Sequence, residues 1–127
     1  MMDRETAERI AQQWLDAWNS HDVDAVVAHF ADDVVVTSPV AAALGVAPEG
    51  KVRGREAVRD YYKQGLAANP ALHFELETVL AGVDGLTVLY HNTRGQQVGE
   101  IMVIDGETIH RVMVHYGPAD RRRRTAG

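Results

Sequence analysis

Three dipeptides ending in glycine cut the second half of this chain into apolar runs of strand length: Asp84-Gly85, Arg94-Gly95 and Asp105-Gly106. Asp-Gly between apolar runs is a strong hairpin signal, because the pair accepts the positive φ that a tight two-residue turn demands. The runs predict strands near 72–82, 86–93, 96–104 and 107–116. In the first, Leu72, Phe74 and Leu76 alternate with His73, Glu75 and Glu77, the period of a sheet with one wet face. Consecutive hairpins make an antiparallel meander, and its apolar face needs a cover.

The first half supplies that cover. Ala7, Ile10, Ala11, Trp14, Leu15 and Trp18 recur at three- and four-residue spacing, which predicts an amphipathic helix over 4–19 with Asp3 as its N-cap. Asn19-Ser20-His21-Asp22 breaks it, and Asp22 caps a short second helix carrying Val23, Val26, Val27 and Phe30. Val34 to Thr37 is a β-branched strand ended by Pro39. Gly45, Pro48, Gly50 and Gly54 mark 40–54 as a loop, with one helical turn at Ala41 to Leu44. A second long helix over 55–68 turns Val58, Tyr61, Tyr62 and Leu66 inward and stops at Asn69-Pro70.

Helices followed by a meander is an α+β pattern. At 127 residues the size prior gives one domain, placed at 1–119, with 120–127 as a disordered Arg-rich tail. A chain this long buries roughly two-thirds of its unfolded surface, enough for a core without staples. There is no cysteine, which removes disulfides, thiolate metal sites and a cysteine nucleophile. No apolar run approaches ~18 residues, so no membrane span is expected. Charged residues crowd the first 13 positions, unlike a signal peptide, and a cytoplasmic location is expected. Eighteen acids outnumber thirteen bases, and four of those bases are Arg121 to Arg124. So acidic a body lacks the footprint of a nucleic-acid binder. The six histidines show no metal-ligand spacing, and no metal site is expected.

Trp14-Leu-Asp-Ala-Trp18-Asn-Ser-His-Asp22, Phe30-Ala-Asp-Asp33, Ser38-Pro39, Gly54-Arg-Glu-Ala-Val58 leading into Tyr61-Tyr62, and the Asp105-Gly106 hairpin together resemble the SnoaL-like branch of the nuclear transport factor 2-like superfamily. The resemblance covers about residues 5 to 117. It implies a cone, a curved antiparallel sheet wrapped around N-terminal helices, with an apolar pocket inside. Members include ketosteroid isomerase, polyketide cyclases, scytalone dehydratase, limonene epoxide hydrolase and non-catalytic binders, so the site must decide the function. Against ketosteroid isomerase the first 39 residues align without gaps. The isomerase's general-base Asp falls on Ser38 and its oxyanion-hole Tyr on Trp14; a neighbouring network Tyr is kept as Tyr62. Its second oxyanion donor, a carboxylic acid kept neutral by an apolar site, falls on Gly99, or on Glu100 if the strand slips by one. Ser38 is too weak a base to take a carbon-bound proton unaided, and Trp14 donates only a neutral N–H. Ordinary ketosteroid isomerase chemistry is therefore disfavoured.

The last hairpin decides where a replacement acid sits. A tight turn at Asp105-Gly106 pairs Glu100 with Arg111 and Val98 with Met113, and puts them on one face with Met102, Ile104, Ile109 and His115. The other face carries Gly99, Ile101, Val103, His110, Val112, Val114 and Tyr116. The second face is the more apolar, so burial favours it inward. Glu100, Arg111 and His115 then belong to a dimer interface with Met102 and Met113. If the first face looks inward, Glu100 is a carboxylate in an apolar pocket, with His115 as its acid–base partner.

The reading is a pocket protein for a small apolar molecule, a homodimer through its outer sheet face. It is taken as an enzyme of cofactor-free acid–base chemistry, of isomerase, cyclase, dehydratase or epoxide hydrolase type. Glu100 and His115 are the candidate catalytic residues, and Trp14, Trp18, Ser38, Tyr62 and Tyr116 the binding residues. The alternatives are a non-catalytic binding or accessory protein of the same fold, and a protein-interaction module.

Overall fold

The computed structural model describes residues 1–118. Helix α1 (Arg4–Asn19) is capped by Asp3, whose side chain accepts from the Thr6 amide at 3.1 Å. It buries the predicted stripe of Ala7, Ile10, Ala11, Trp14, Leu15 and Trp18, together with Ala17. Asp22 caps α2 (Val23–Val27) in the same way. Next come β1 (Phe30–Thr37), α3 (Pro39–Ala43), β2 (Lys51–Arg53) and α4 (Arg55–Ala68). Strands β3 (Glu75–Ala81), β4 (Gly85–His91), β5 (Gln97–Asp105) and β6 (Thr108–Tyr116) close the order.

The six strands form one curved, unclosed sheet in the order β2-β1-β6-β5-β4-β3. Helix α1 packs on β3 and β4, and α4 on β1 and β2, so the helices fill the concave side. The α+β architecture is as expected, with three local differences. The sheet is mixed, because β1 runs parallel to β6. Phe30 opens β1 instead of ending α2, and its backbone pairs with Ile109. The expected loop over 40–54 contains the short edge strand β2, paired antiparallel with β1.

Two turns also differ. Residues 82–84 make the β3–β4 turn, and Gly85 begins a strand; a side chain there would collide with the Met102 carbonyl oxygen. In the last hairpin the turn residues are Gly106, at φ +64°, and Glu107, so Asp105 pairs with Thr108. A bulge follows: Ile104 pairs with Ile109, but Val103 already pairs with Arg111. The extra residue, His110, flips the alternation of everything beyond it. Glu100 therefore pairs with Val114, and Met102 with Val112.

This corrects the faces drawn from the sequence. Val98, Glu100, Met102 and Ile104 of β5 are buried on the concave side, together with Ile109 and Val112 of β6. The expectation that burial turns Ile101 and Val103 inward is overturned: packing Val98, Met102 and Ile104 into the core outweighs the cost of burying one carboxyl group beside them. Arg111 and His115 are exposed and lie on the convex side with Gly99 and Ile101. Among the described residues no helix is long and apolar enough to cross a membrane. Arg121 to Arg124 lie outside the described residues.

Candidate functional site

Helix α4 and the inner faces of β1, β4, β5 and β6 leave a cavity of 520 Å³ at the open end of the sheet. Among the described residues its one acidic lining residue is Glu100. The residue is 5% exposed, flanked along the sheet by Val88 and Val114. Water cannot solvate the anion here. Burial therefore raises its pKa from 4.5 to about 7, against the opposing pull of one hydrogen bond.

That bond comes from Tyr90. Its hydroxyl donates to Glu100 Oε2 at 2.5 Å, from a ring wedged between Phe74 (centroids 4.6 Å apart) and Trp14 (5.8 Å). Oε1 has no hydrogen-bond partner among the described residues. The carboxyl group is thus gripped on one oxygen and free on the other.

The opposite wall is built from hydroxyls. Ser38 stands at the N-cap position of α3, yet its side chain does not cap the helix. Instead Ser38 Oγ lies 3.1 Å from the Tyr61 hydroxyl. Tyr62, one residue further along α4, has a buried hydroxyl with no hydrogen-bond partner among the described residues, and so has the Trp18 indole N–H. Tyr116 comes in from the end of β6. Burial raises the pKa of Tyr61, and those of Tyr62 and Tyr90 much further; the charge of Glu100 adds to each. Burial likewise pushes Tyr116 up to about 12. All four tyrosines are therefore neutral donors near pH 7, and Glu100 is the lining residue poised to exchange a proton there.

Of the residues singled out in the sequence, Glu100, Trp18, Ser38, Tyr62 and Tyr116 meet at this cavity. His115 does not: it is exposed on the other side of the sheet. Trp14 lies behind Tyr90 and Trp18 and borders a separate cleft of 300 Å³ between α1, α2 and the start of β6. Sequence reasoning missed Tyr90. A signal existed: Leu86, Val88 and Tyr90 alternate with Thr87, Leu89 and His91, and pairing β4 with β5 puts Val88 opposite Glu100. Among the described residues no three His, Asp or Glu side chains converge as metal ligands do.

A family model described as a SnoaL-like domain matches residues 11–122. A SnoaL-like protein of unknown function from Burkholderia thailandensis superposes with a TM-score of 0.87 at 32% identity, over 91% of this chain and 98% of that one. A protein from Kribbella flavida, provisionally named a ketosteroid isomerase, shares the fold at TM-score 0.73 and 18% identity, over 94% of this chain and 84% of its own. So does one from Sinorhizobium meliloti, provisionally named a polyketide cyclase, at 0.72 and 18%, over 90% and 100%. No curated protein matches the chain.

Proposed function

The chain belongs to the SnoaL-like domain family, and from that premise we propose that it is an acid–base enzyme acting on a small, largely apolar molecule, with Glu100 as the group that moves the proton. The observation that carries this is Glu100 itself: one carboxyl group, buried in an aromatic cavity, held on Oε2 and free on Oε1. As the carboxylate it takes a proton from carbon. As the acid it returns that proton elsewhere on the same substrate, which is the economy of an isomerase or cyclase. The tyrosine hydroxyls and the Trp18 N–H offer neutral donors to an oxygen that gains charge. Ser38 positions Tyr61 and is not a base. No cofactor enters this scheme.

The test uses 5-nitrobenzisoxazole, a carbon acid whose ring opens when any base removes its C–H proton. The C–H electron pair becomes the nitrile bond, and the N–O bond breaks to leave a coloured phenolate. The expected result is turnover that rises with pH through about 7, and that falls 10²–10⁴-fold in Glu100→Gln. A rate indifferent to Glu100→Gln overturns the assignment. The binder alternative draws on the missing histidine: with His115 outside, the cavity has one group that titrates near neutrality. That reading expects an unchanged background rate and intact ligand binding.

We also propose that a second copy covers the convex face. Leu89, Ile101, Val103 and Met113 lie there on β4, β5 and β6, with Thr87, Arg111 and His115 among them. Met102, Ile104 and Ile109, the residues first expected at such an interface, are core. Light scattering should give a dimer mass at micromolar protein, and Ile101→Arg should give the monomer.

A further inference from the structure

The cavity has a charged feature that the proton chemistry leaves unused. Its lining includes one guanidinium, Arg94, exposed at the tip of the β4–β5 hairpin. Among the described residues, Arg4, Arg9, Arg53, Arg55 and Arg59 each face a carboxylate. Arg94 faces none. Arg111 is unpaired as well, but it stands on the convex side. In a chain with a formal charge of −5, a cation kept free of carboxylates at a cavity mouth is a site for an anion from outside.

The hairpin fixes the backbone that carries Arg94. Asn92 Oδ1 accepts from the amides of Arg94 and Gln96, at 3.1 and 3.0 Å. Gln96 Nε2 donates to the Gly117 carbonyl at 2.8 Å, and the Gly95 amide donates to the Asn92 carbonyl. The polar groups of Asn92 and Gln96 are spent on the turn, so the Arg94 head is left for a ligand. Across the mouth stand Val40, Leu44 and Tyr116, all exposed. An occupant thus meets apolar and aromatic surface within and a guanidinium at the rim.

We infer that the occupant is an amphipathic organic anion, seated with its apolar rings against the tyrosines and its acidic group at Arg94. This rests on the pocket reading above and adds the charge class of the ligand. The orientation follows from like-charge avoidance, since an anionic group pushed inward would approach Glu100.

The experiment compares two probes that share their rings. 8-Anilinonaphthalene-1-sulfonate carries the anion, and N-phenyl-1-naphthylamine is its neutral counterpart. The expected result is that each displaces the other and that the sulfonate binds more tightly. Arg94→Gln should weaken the sulfonate three- to tenfold, with a larger loss in Arg94→Glu and recovery in Arg94→Lys. The neutral probe should change by less than twofold, and added salt should narrow the gap between the two. A sulfonate indifferent to all three variants, or one that the neutral probe does not displace, overturns the anion inference and leaves the pocket reading standing. If the neutral probe does not bind at all, both fail. Arg94 sits at an exposed turn, so its variants should melt with the parent.

Discussion

Glu100 and Met102 stand two residues apart on the same face of β5, and the chain treats them in opposite ways. Met102 is 1% exposed, between Leu86 and Val112 on the neighbouring strands, in filled core. Glu100 is almost as buried, at 5%, but its side chain looks into open volume and holds a tyrosine. One strand face thus runs from packed core to chemical site within a single pleat. Burial alone does not separate the two roles. What separates them is whether the buried volume is filled, and whether a polar partner has been placed nearby.

The sharpest way to break this contrast is to truncate the packed end. Met102→Ala empties a filled position and should destabilise the fold by about 2–5 kcal/mol, read as a lower urea midpoint, while surviving protein keeps its turnover per folded molecule. Glu100→Gln should show the reverse: loss of turnover, with little change in midpoint below about pH 5, where the parent's carboxyl group is as neutral as the amide. If Met102→Ala melts with the parent, the two ends are not differently packed and the contrast is wrong.

A second separation uses pH. Ordinary glutamate gives up its proton near 4.5, and folded Glu100 only near 7. Between these values the folded chain holds more protons than the unfolded chain, so its stability falls as pH rises. The contribution is complete below about 4.5 and lost above about 7. A shift of this size corresponds to about 3 kcal/mol. Other carboxylates titrate in the same range, so the quantity to measure is the difference between the parent and Glu100→Gln from pH 4 to 8. That difference should slope downward with pH for the parent. A flat difference would mean that water reaches the carboxyl group.

The same contrast shows how far the sequence could be read. The packed end was legible. The stripe from Ala7 to Trp18, the caps at Asp3 and Asp22 and the strand-length runs are local patterns, and the fold followed from them. The site was half legible. Trp18 and Tyr62 stand out by helix period, Ser38 by the family resemblance and Tyr116 by strand parity, whereas Glu100 could be singled out only on the strand face that burial was expected to turn outward. Their geometry could not, because it depends on registers that span the chain. The parallel pairing of β1 with β6 joins residues about 75 positions apart. Tyr90 reaches Glu100 diagonally from one strand to the next. The one-residue displacement of the Asp105-Gly106 turn, with the bulge at His110, leaves no local mark, yet it decides which of Arg111, Val112, His115 and Tyr116 share the interior with Glu100.

The smallest expected effect is the most direct check on that register. With a tight turn centred on Asp105 and Gly106, His115 shares a face with Glu100 and completes an acid–base pair. In the observed register Glu100 lies opposite Val114, Gly99 opposite His115, and the imidazole is exposed on the convex side. A slip of one residue would move every β6 side chain to the other face, so the two arrangements differ in outcome and not in degree. His115→Ala removes an exposed ring with no hydrogen bond or ion pair among the described residues. It should change stability by less than about 0.5 kcal/mol, leave turnover of the carbon acid within twofold, and leave the pH midpoint of that turnover where Glu100 sets it. A histidine inside the cavity would behave otherwise: its removal would take away a positive charge beside the carboxyl group and move the midpoint upward. Should the midpoint move, β6 sits in the slipped register in solution, and the assignment of Glu100 as a lone proton carrier falls with it.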